Sequence, residues 1–138
     1  MNRTSQMKLP VKVIAQVMSP VPKSVGPELP LSKAQELMAK YKIRHLPVIV
    51  GPKVVGLLSD RNTKAALLSK WGEGFTVEDV MMPEPFVVKP SDKLDTILTQ
   101  MMKHKYGSVV VQEKNGELVG VFTTIDAVYL LRTLLRKL

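Results

Sequence analysis

The chain repeats itself. Shifted by 63 residues, Val17 to Val48 falls on Val80 to Val111 with 11 identities in 32 positions and no gap. Val17-Met18-x-Pro20-x-Pro22 meets Val80-Met81-x-Pro83-x-Pro85, and Val25-x-Pro27 meets Val88-x-Pro90. Leu31, Met38, Lys40 and Lys42 meet Leu94, Met101, Lys103 and Lys105. With one residue inserted in the second half, Val55-Gly56 aligns with Val119-Gly120, and Ser59 with Thr123. Self-similarity at a fixed period means that each copy is one supersecondary unit. Half of a 138-residue chain struggles to bury a core alone. The two copies are therefore expected to pack on each other.

Each copy reads as the same series of elements. A short helical turn ends at Val-Met-x-Pro, and an extended piece follows, Lys23 to Val25 or Phe86 to Val88. In the first copy a helix runs from about Pro30 to Tyr41, with proline at a position whose N–H has no intrahelical partner. Leu31, Ala34, Leu37 and Met38 fall on one face of it. In the second copy Ser91 or Asp92 is expected to cap a helix carrying Leu94, Ile97, Leu98, Met101 and Met102. These Met and Leu stripes read as core. Two strands follow, Leu46 to Val50 with Val54 to Leu58, then Ser108 to Gln112 with Leu118 to Phe122. Gly51-Pro52 marks the first turn. Asn115-Gly116 predicts a primed hairpin, with positive φ at both residues. A closing helix ends each copy, about Asn62 to Ser69 and Ile125 onward, the latter with an apolar stripe of Ala127, Leu130, Leu131, Leu134 and Leu135. The organisation is then 13–69 for the first repeat, 70–75 for a short Gly-rich connection, and 76–135 for the second repeat. Thr76 is a candidate N-cap for the second repeat's helical turn.

Composition narrows the function. There is no Cys, which excludes disulfides, thiolate nucleophiles and thiolate-bound metal. No His cluster has metal-ligand spacing, and no phosphate-binding Walker loop, GxGxxG or nucleophile elbow is present. Asp60, Asp79, Asp92 and Asp95 lie where caps and exposed helix faces would put them. The expectation is a protein without catalytic or metal-binding residues. MNRTSQMKLP contains no signal-peptide apolar stretch, and no run is long enough to cross a bilayer. A cytoplasmic protein without membrane insertion is expected. The net charge of +8 favours anionic partners without choosing among nucleotides, nucleic acid and an acidic protein face.

Taken together, Val17-Met18-Ser19-Pro20, Leu46-Pro47-Val48 and Gly56-Leu57-Leu58-Ser59, with Val80-Met81-Met82-Pro83 and Gly120-Val121-Phe122-Thr123-Thr124-Ile125-Asp126, resemble a tandem pair of cystathionine-β-synthase (CBS) domains, the Bateman module. The resemblance spans about residues 13 to 135. It implies an α/β (α+β) fold of two β-α-β-β-α repeats packed sheet to sheet about a pseudo-twofold axis, with clefts between them. It also implies an energy-sensing or otherwise regulatory role. The ligand would be AMP, ADP, ATP or S-adenosylmethionine. The module would form a homodimer and act on a separate, unidentified effector protein.

The candidate ligand residues follow from chemistry and from that resemblance. Gly120-x-x-Thr123-x-x-Asp126 sits where a strand ends and a helix begins, and helix N-terminal amides suit phosphate. Thr123 and Thr124 offer hydroxyls, and Asp126 can accept bonds from both ribose hydroxyls. The same spacing is also ordinary helix-capping chemistry. By analogy with the family, the base would rest on Phe86, Val87 and Val88 and on Tyr106, Gly107, Ser108 and Val109. By the same resemblance Arg44 would hold the phosphates of the nucleotide whose ribose Asp126 and Thr123 bind, in a bidentate way, and His45 would join as cation or neutral donor. The first repeat departs from the pattern: Ser59 is followed by Asn62 rather than Asp, so Ser59, Arg61 and Asn62 form a weaker second site. His104, between two lysines, is expected to be solvated. Two other readings stay open: a nucleic-acid-binding module, poorly served by 5% aromatic residues, and a ligand-free dimerisation scaffold.

Overall fold

The computed structural model describes residues 9–21 and 23–138. The N-terminal stretch read for a signal peptide, apart from Leu9 and Pro10, lies outside the described residues, and so does Pro22 of the first Val-Met-x-Pro-x-Pro motif. The chain divides into two compact units, Val21–Pro85 on the one hand and Phe86–Leu138 with the segment ending at Pro20 on the other. Both are mixed α+β.

In Val21–Pro85 a hairpin of β2 (His45–Val50) and β3 (Lys53–Ser59) is flanked by β4 (Met82–Pro83), antiparallel to β3. Gly51 turns the hairpin at φ 58°, a conformation L side chains rarely adopt. Helices α1 (Leu31–Tyr41), α2 (Asp60–Leu68) and α3 (Val77–Val80) complete the unit. Its core is Val25, Leu31, Ala34, Met38, Leu46, Val48, Leu58 and Val77. The other unit pairs β6 (Ser108–Gln112) with β7 (Leu118–Thr123) in antiparallel fashion. β5 (Phe86–Val88) lies parallel to β6, and β1 (Ser19–Pro20) antiparallel to β7. Helices α4 (Leu94–His104) and α5 (Thr124–Lys137) belong to this unit, whose core gathers Ile14, Val17, Val88, Leu94, Ile97, Met101, Val109, Val111, Phe122 and Leu130. Among the described residues, no helix is long and apolar enough to cross a membrane.

The repeats and the spatial units are different divisions of the chain. The Val-Met-x-Pro that opens the first repeat supplies β1 to the sheet of β5, β6 and β7, and the second repeat's copy supplies β4 to the sheet of β2 and β3. Methionine and glycine explain why these motifs recur together. A Cβ at Gly120 would lie 2.6 Å from the Met18 sulfur and 2.9 Å from the Ser19 carbonyl oxygen. At Gly56 it would run into Met81. Each Met covers the glycine of the strand it joins, and only glycine lets the short strand come that close.

Several expectations were off by local geometry. Neither Ser91 nor Asp92 caps α4: the N-cap is Lys93, without a side-chain cap, and Asp92 instead accepts from the Lys89 N–H at 2.9 Å. Lys23 to Val25 is not a strand; Val25 alone bridges Val48, through Val25 N–H to Pro47 O at 3.0 Å and Ile49 N–H to Val25 O at 2.9 Å. Asn115-Gly116 is not a primed turn, because Gly116 has φ 93° while Asn115 is not among the residues of positive φ. The Asn115 side chain accepts from the Glu117 N–H at 2.9 Å, and Glu113 N–H reaches Glu117 O at 2.7 Å, which closes a longer loop. α2 begins at Asp60 rather than Asn62. Thr76 does cap α3, its N–H donating to Asp79 Oδ2 at 2.9 Å. α1 and α4 both end on a left-handed lysine, Lys42 at φ 54° and Lys105 at φ 58°. The turns close through Ile43 N–H to Met38 O and Tyr106 N–H to Met101 O, both 3.0 Å, which satisfies a helix-terminal carbonyl in each repeat.

Gly120→Ala tests the strand contact. The added methyl meets backbone as well as Met18, so the variant should lose about 1–3 kcal/mol. A fall in the melting temperature of at least roughly 3 °C is the expected reading. An unchanged melting temperature would show that β1 does not bear on Gly120.

Candidate functional site

At the start of α5 the sequence Thr123-Thr124-Ile125-Asp126 closes a reciprocal cap. Thr123 N–H donates to Asp126 Oδ2 at 2.7 Å, Thr123 Oγ1–H donates to the same oxygen at 3.2 Å, and Asp126 N–H returns to Thr123 Oγ1 at 3.4 Å. Ser19 on β1 donates its hydroxyl to Asp126 Oδ1 at 3.1 Å. The carboxylate is buried, at 5% exposure. Its charge sits in the first turn of the helix, where the dipole favours an anion.

Strand register gathers the other residues of this unit around that cap. Ser108 lies opposite Thr123, and Phe86 lies beside Val109. Thr124 N–H donates to Gly107 O at 3.1 Å. Phe86, Gly107, Ser108, Thr123 and Thr124 therefore share one end of the sheet. The Phe86 and Tyr106 rings sit 5.1 Å apart, and His104 stacks on Tyr106 at 5.3 Å. His104 is exposed as expected, but it extends an aromatic row rather than standing alone. A Cβ at Gly107 would meet nothing within 4 Å, so packing does not require glycine there. The open space would admit a ligand close to the backbone. Val109 is fully buried in the core, so its side chain does not line this surface; Val88, also in the core, still lines a groove beside β5 together with Phe86 and Val87. Val87 faces outward, into this groove of about 400 Å³ that β5 forms with Lys93, Thr96, Ile97 and Gln100 of the α4 region. The sequence reading named Phe86, Val87 and Val88 for one wall of that groove but not Lys93, Thr96, Ile97 and Gln100, because nothing in the sequence marks β5 as a sheet edge.

The remaining candidates are in the other unit. Ser59 caps α2 by accepting from the Asn62 N–H at 3.1 Å. Arg61 and Asn62 are exposed. Asp60 pairs with Lys64 at 3.1 Å and donates its N–H to Arg44 O at 2.8 Å. Arg44 is exposed; His45 opens β2 opposite Ser59. Burial holds the His45 imidazole below its ordinary pKa of 6.5, Arg44 beside it adds to the effect, and Asp60 opposes both. At neutral pH His45 is thus a neutral N–H donor and not a cation. Among the described residues, no three His, Asp or Glu side chains gather as a metal site.

Ser19 is the residue that sequence reasoning overlooked. The repeat alignment held the signal: position 19 is serine where its counterpart, Met82, cannot donate to a carboxylate. Hydroxyl and carboxylate occur together as Ser19 and Asp126, and both are missing in Met82 and Asn62.

His45 makes stability depend on pH. Its folded pKa is depressed, so the stability it carries is present above pH 6.5 and is lost as pH falls through the folded value. Melting temperatures at pH 7.5 and pH 5.5 should differ by more in the native chain than in His45→Gln. Equal pH dependence in the two proteins would mean that His45 is not the group responsible.

A family model described as the CBS domain matches residues 14–69 and again 77–133. Inosine-5'-monophosphate dehydrogenase of Korarchaeum cryptofilum (strain OPF8) is 32% identical over 106 residues, which are 77% of this chain and 21% of that enzyme. The chain thus spans about a fifth of the length of the curated relatives it matches. Among solved structures, CBSX2 in complex with AMP is similar at 26% identity and a TM-score of 0.65, covering 88% of this chain and 97% of that one. The CBS domain pair of protein MJ0100, solved with 5-methylthioadenosine and S-adenosyl-L-methionine, shares the fold at 22% identity and a TM-score of 0.72, covering 88% and 97%.

Proposed function

Because the chain belongs to the CBS-domain family and carries two copies of the domain, we propose that it is a regulatory module that senses an adenine nucleotide and acts on a separate protein. The observation that carries this reading is the buried Asp126 carboxylate, held by Thr123 and Ser19 at the start of α5, beside an aromatic row and an unfilled Gly107. The complex of CBSX2 with AMP supports the class of ligand. The match to inosine-5'-monophosphate dehydrogenase covers too little of that enzyme to bring its catalysis with it.

In this reading the ribose hydroxyls donate to Asp126 and take the place of the Ser19 hydroxyl on Oδ1. Exchanging one donor for another on the same carboxylate costs little, and the charged acceptor makes the stronger class of bond. The phosphate lies toward the N-terminus of α5, where backbone amides and the dipole favour an anion. The base lies against Tyr106, Phe86 and the outward face of Val87, with Gly107 leaving room. Ser59, Arg61 and Asn62 form a weaker second site, because Asn62 has no charge and Met82 no hydroxyl. Arg44 and the neutral His45 are donors for phosphate in that unit.

Thermal unfolding against AMP, ADP, ATP and S-adenosylmethionine tests the reading. A ligand at about 100 times its dissociation constant adds roughly 2.7 kcal/mol, a shift of several degrees. Asp126→Asn keeps an oxygen for the helix cap and removes the charge, so it should fold and lose at least about tenfold in affinity. Ser19→Ala should bind as tightly as the native chain or more tightly, since no hydroxyl then competes for Oδ1. Unchanged affinity in Asp126→Asn would sink the ribose assignment. No shift with any adenine compound would turn the reading to a ligand-free scaffold.

A further inference from the structure

We propose that the outward face of α5 docks on an anionic lipid surface, with the helix lying flat among the headgroups. The helix buries one face, with Asp126, Leu130 and Thr133 inside. Its opposite face should be polar if it met only water. Instead Val128, Leu131, Leu135 and Leu138 stand 59%, 58%, 60% and 99% exposed. Their spacing of three, four and three residues sets them along one stripe of the helix. Large aliphatic side chains in this state leave on the order of several hundred Å² of apolar surface, the size that marks an interaction site.

Charge identifies the occupant. Arg132 and Arg136, one turn apart, border the stripe, and Lys137 ends the helix. All three are exposed. The ion pairs among the described residues, Lys33 with Glu36 and Lys64 with Asp60, leave these three cations unmatched. α5 exposes no acidic side chain, since its single acid, Asp126, is buried. An apolar stripe edged by cations is the pattern of a helix that lies in a membrane interface, its aliphatic side chains among the acyl chains and its arginines reaching up to lipid phosphates. A specific protein interface carries about one hydrogen bond per 100–200 Å². Valine and leucine offer none, so the stripe suits a fluid apolar medium better than a partner with fixed polar groups. Length decides the orientation. The 14 residues of α5 extend about 21 Å, short of the roughly 30 Å hydrocarbon core, so the helix rests along the surface and does not cross it. The chain's net charge of +8 adds to the attraction.

The test is flotation of the nucleotide-free chain with vesicles of phosphatidylcholine containing about one quarter phosphatidylglycerol, against vesicles of phosphatidylcholine alone. The chain should float with the anionic vesicles and bind the neutral ones at least about tenfold more weakly. Binding should fall as salt is added, because salt screens the attraction. Arg132→Gln with Arg136→Gln should weaken binding at least about tenfold, each cation near a charged bilayer contributing roughly fivefold. Leu131→Glu with Leu135→Glu should abolish flotation. Circular dichroism should show the same fold in that variant, because both residues face solvent in the single chain. Lys53→Gln removes an exposed cation from the hairpin of the other unit and should change binding by less than about twofold. A native chain that does not float overturns the proposal. So does one that floats equally with both kinds of vesicle, or that still floats with both glutamates in place. An equal loss in Lys53→Gln and the arginine variant overturns it as well, since net charge would then be the cause. Light scattering covers the other occupant: a native chain paired through Leu131 and Leu135, and barred from vesicles by that pairing, overturns the proposal in favour of a second copy. None of these readings depends on nucleotide binding.

Discussion

The structure depends on the close approach of a two-residue strand to a glycine. Ser19 and Pro20 lie against Val121 and Gly120, with the Met18 side chain over the glycine. Met81, Met82, Pro83 and Gly56 repeat the arrangement in the other unit. The contact decides which parts of the chain belong together. It ties the segment before Pro20 to elements about a hundred residues later, and so completes a core that neither repeat encloses by itself. It also carries Ser19 to the carboxylate of Asp126. A side chain can be laid on a buried acid with this accuracy only by a strand whose register is fixed.

α5 has three distinct parts to its surface. Its first turn is closed by Thr123 and Asp126, its inner face holds Leu130 in the core, and its outer face is left apolar. The cap stabilises the helix and also concentrates the charge chemistry of the unit at one point. A carboxylate that already accepts from a threonine and a serine has its orientation set before any ligand arrives, which reduces what binding must order.

The two units share a plan and differ in chemistry. Where one has Ser19 and Asp126, the other has Met82 and Asn62. In their place that unit has Arg44 and a neutral His45 near the start of α2. A repeat that keeps its core positions, such as Leu31 with Leu94 and Met38 with Met101, while changing these few polar ones, retains the fold and alters the chemistry each unit presents.

Much of this was legible in the sequence. The repeat, the methionine and leucine stripes, the hairpin strands and the Thr123–Asp126 spacing all rest on local periodicity and on residue types whose preferences are strong; Met102, read with the α4 stripe as core, is the exception and stands 74% exposed. Asn115-Gly116 misled because the Asn115 side chain found a backbone partner of its own, which the dipeptide does not announce. The lysine cap of α4 was hidden because Asp92, two residues before the helix, spends its carboxylate on Lys89. Other features belong to tertiary structure alone: which sheet each Val-Met-x-Pro strand joins, the bond from Ser19 to Asp126, the burial of Val88 and Val109, and the depressed pKa of His45. Those are set by contacts between residues far apart in the chain and by exclusion of water. A sequence can specify a pattern of apolar and polar groups, but the partner each group meets is decided only when the chain has packed.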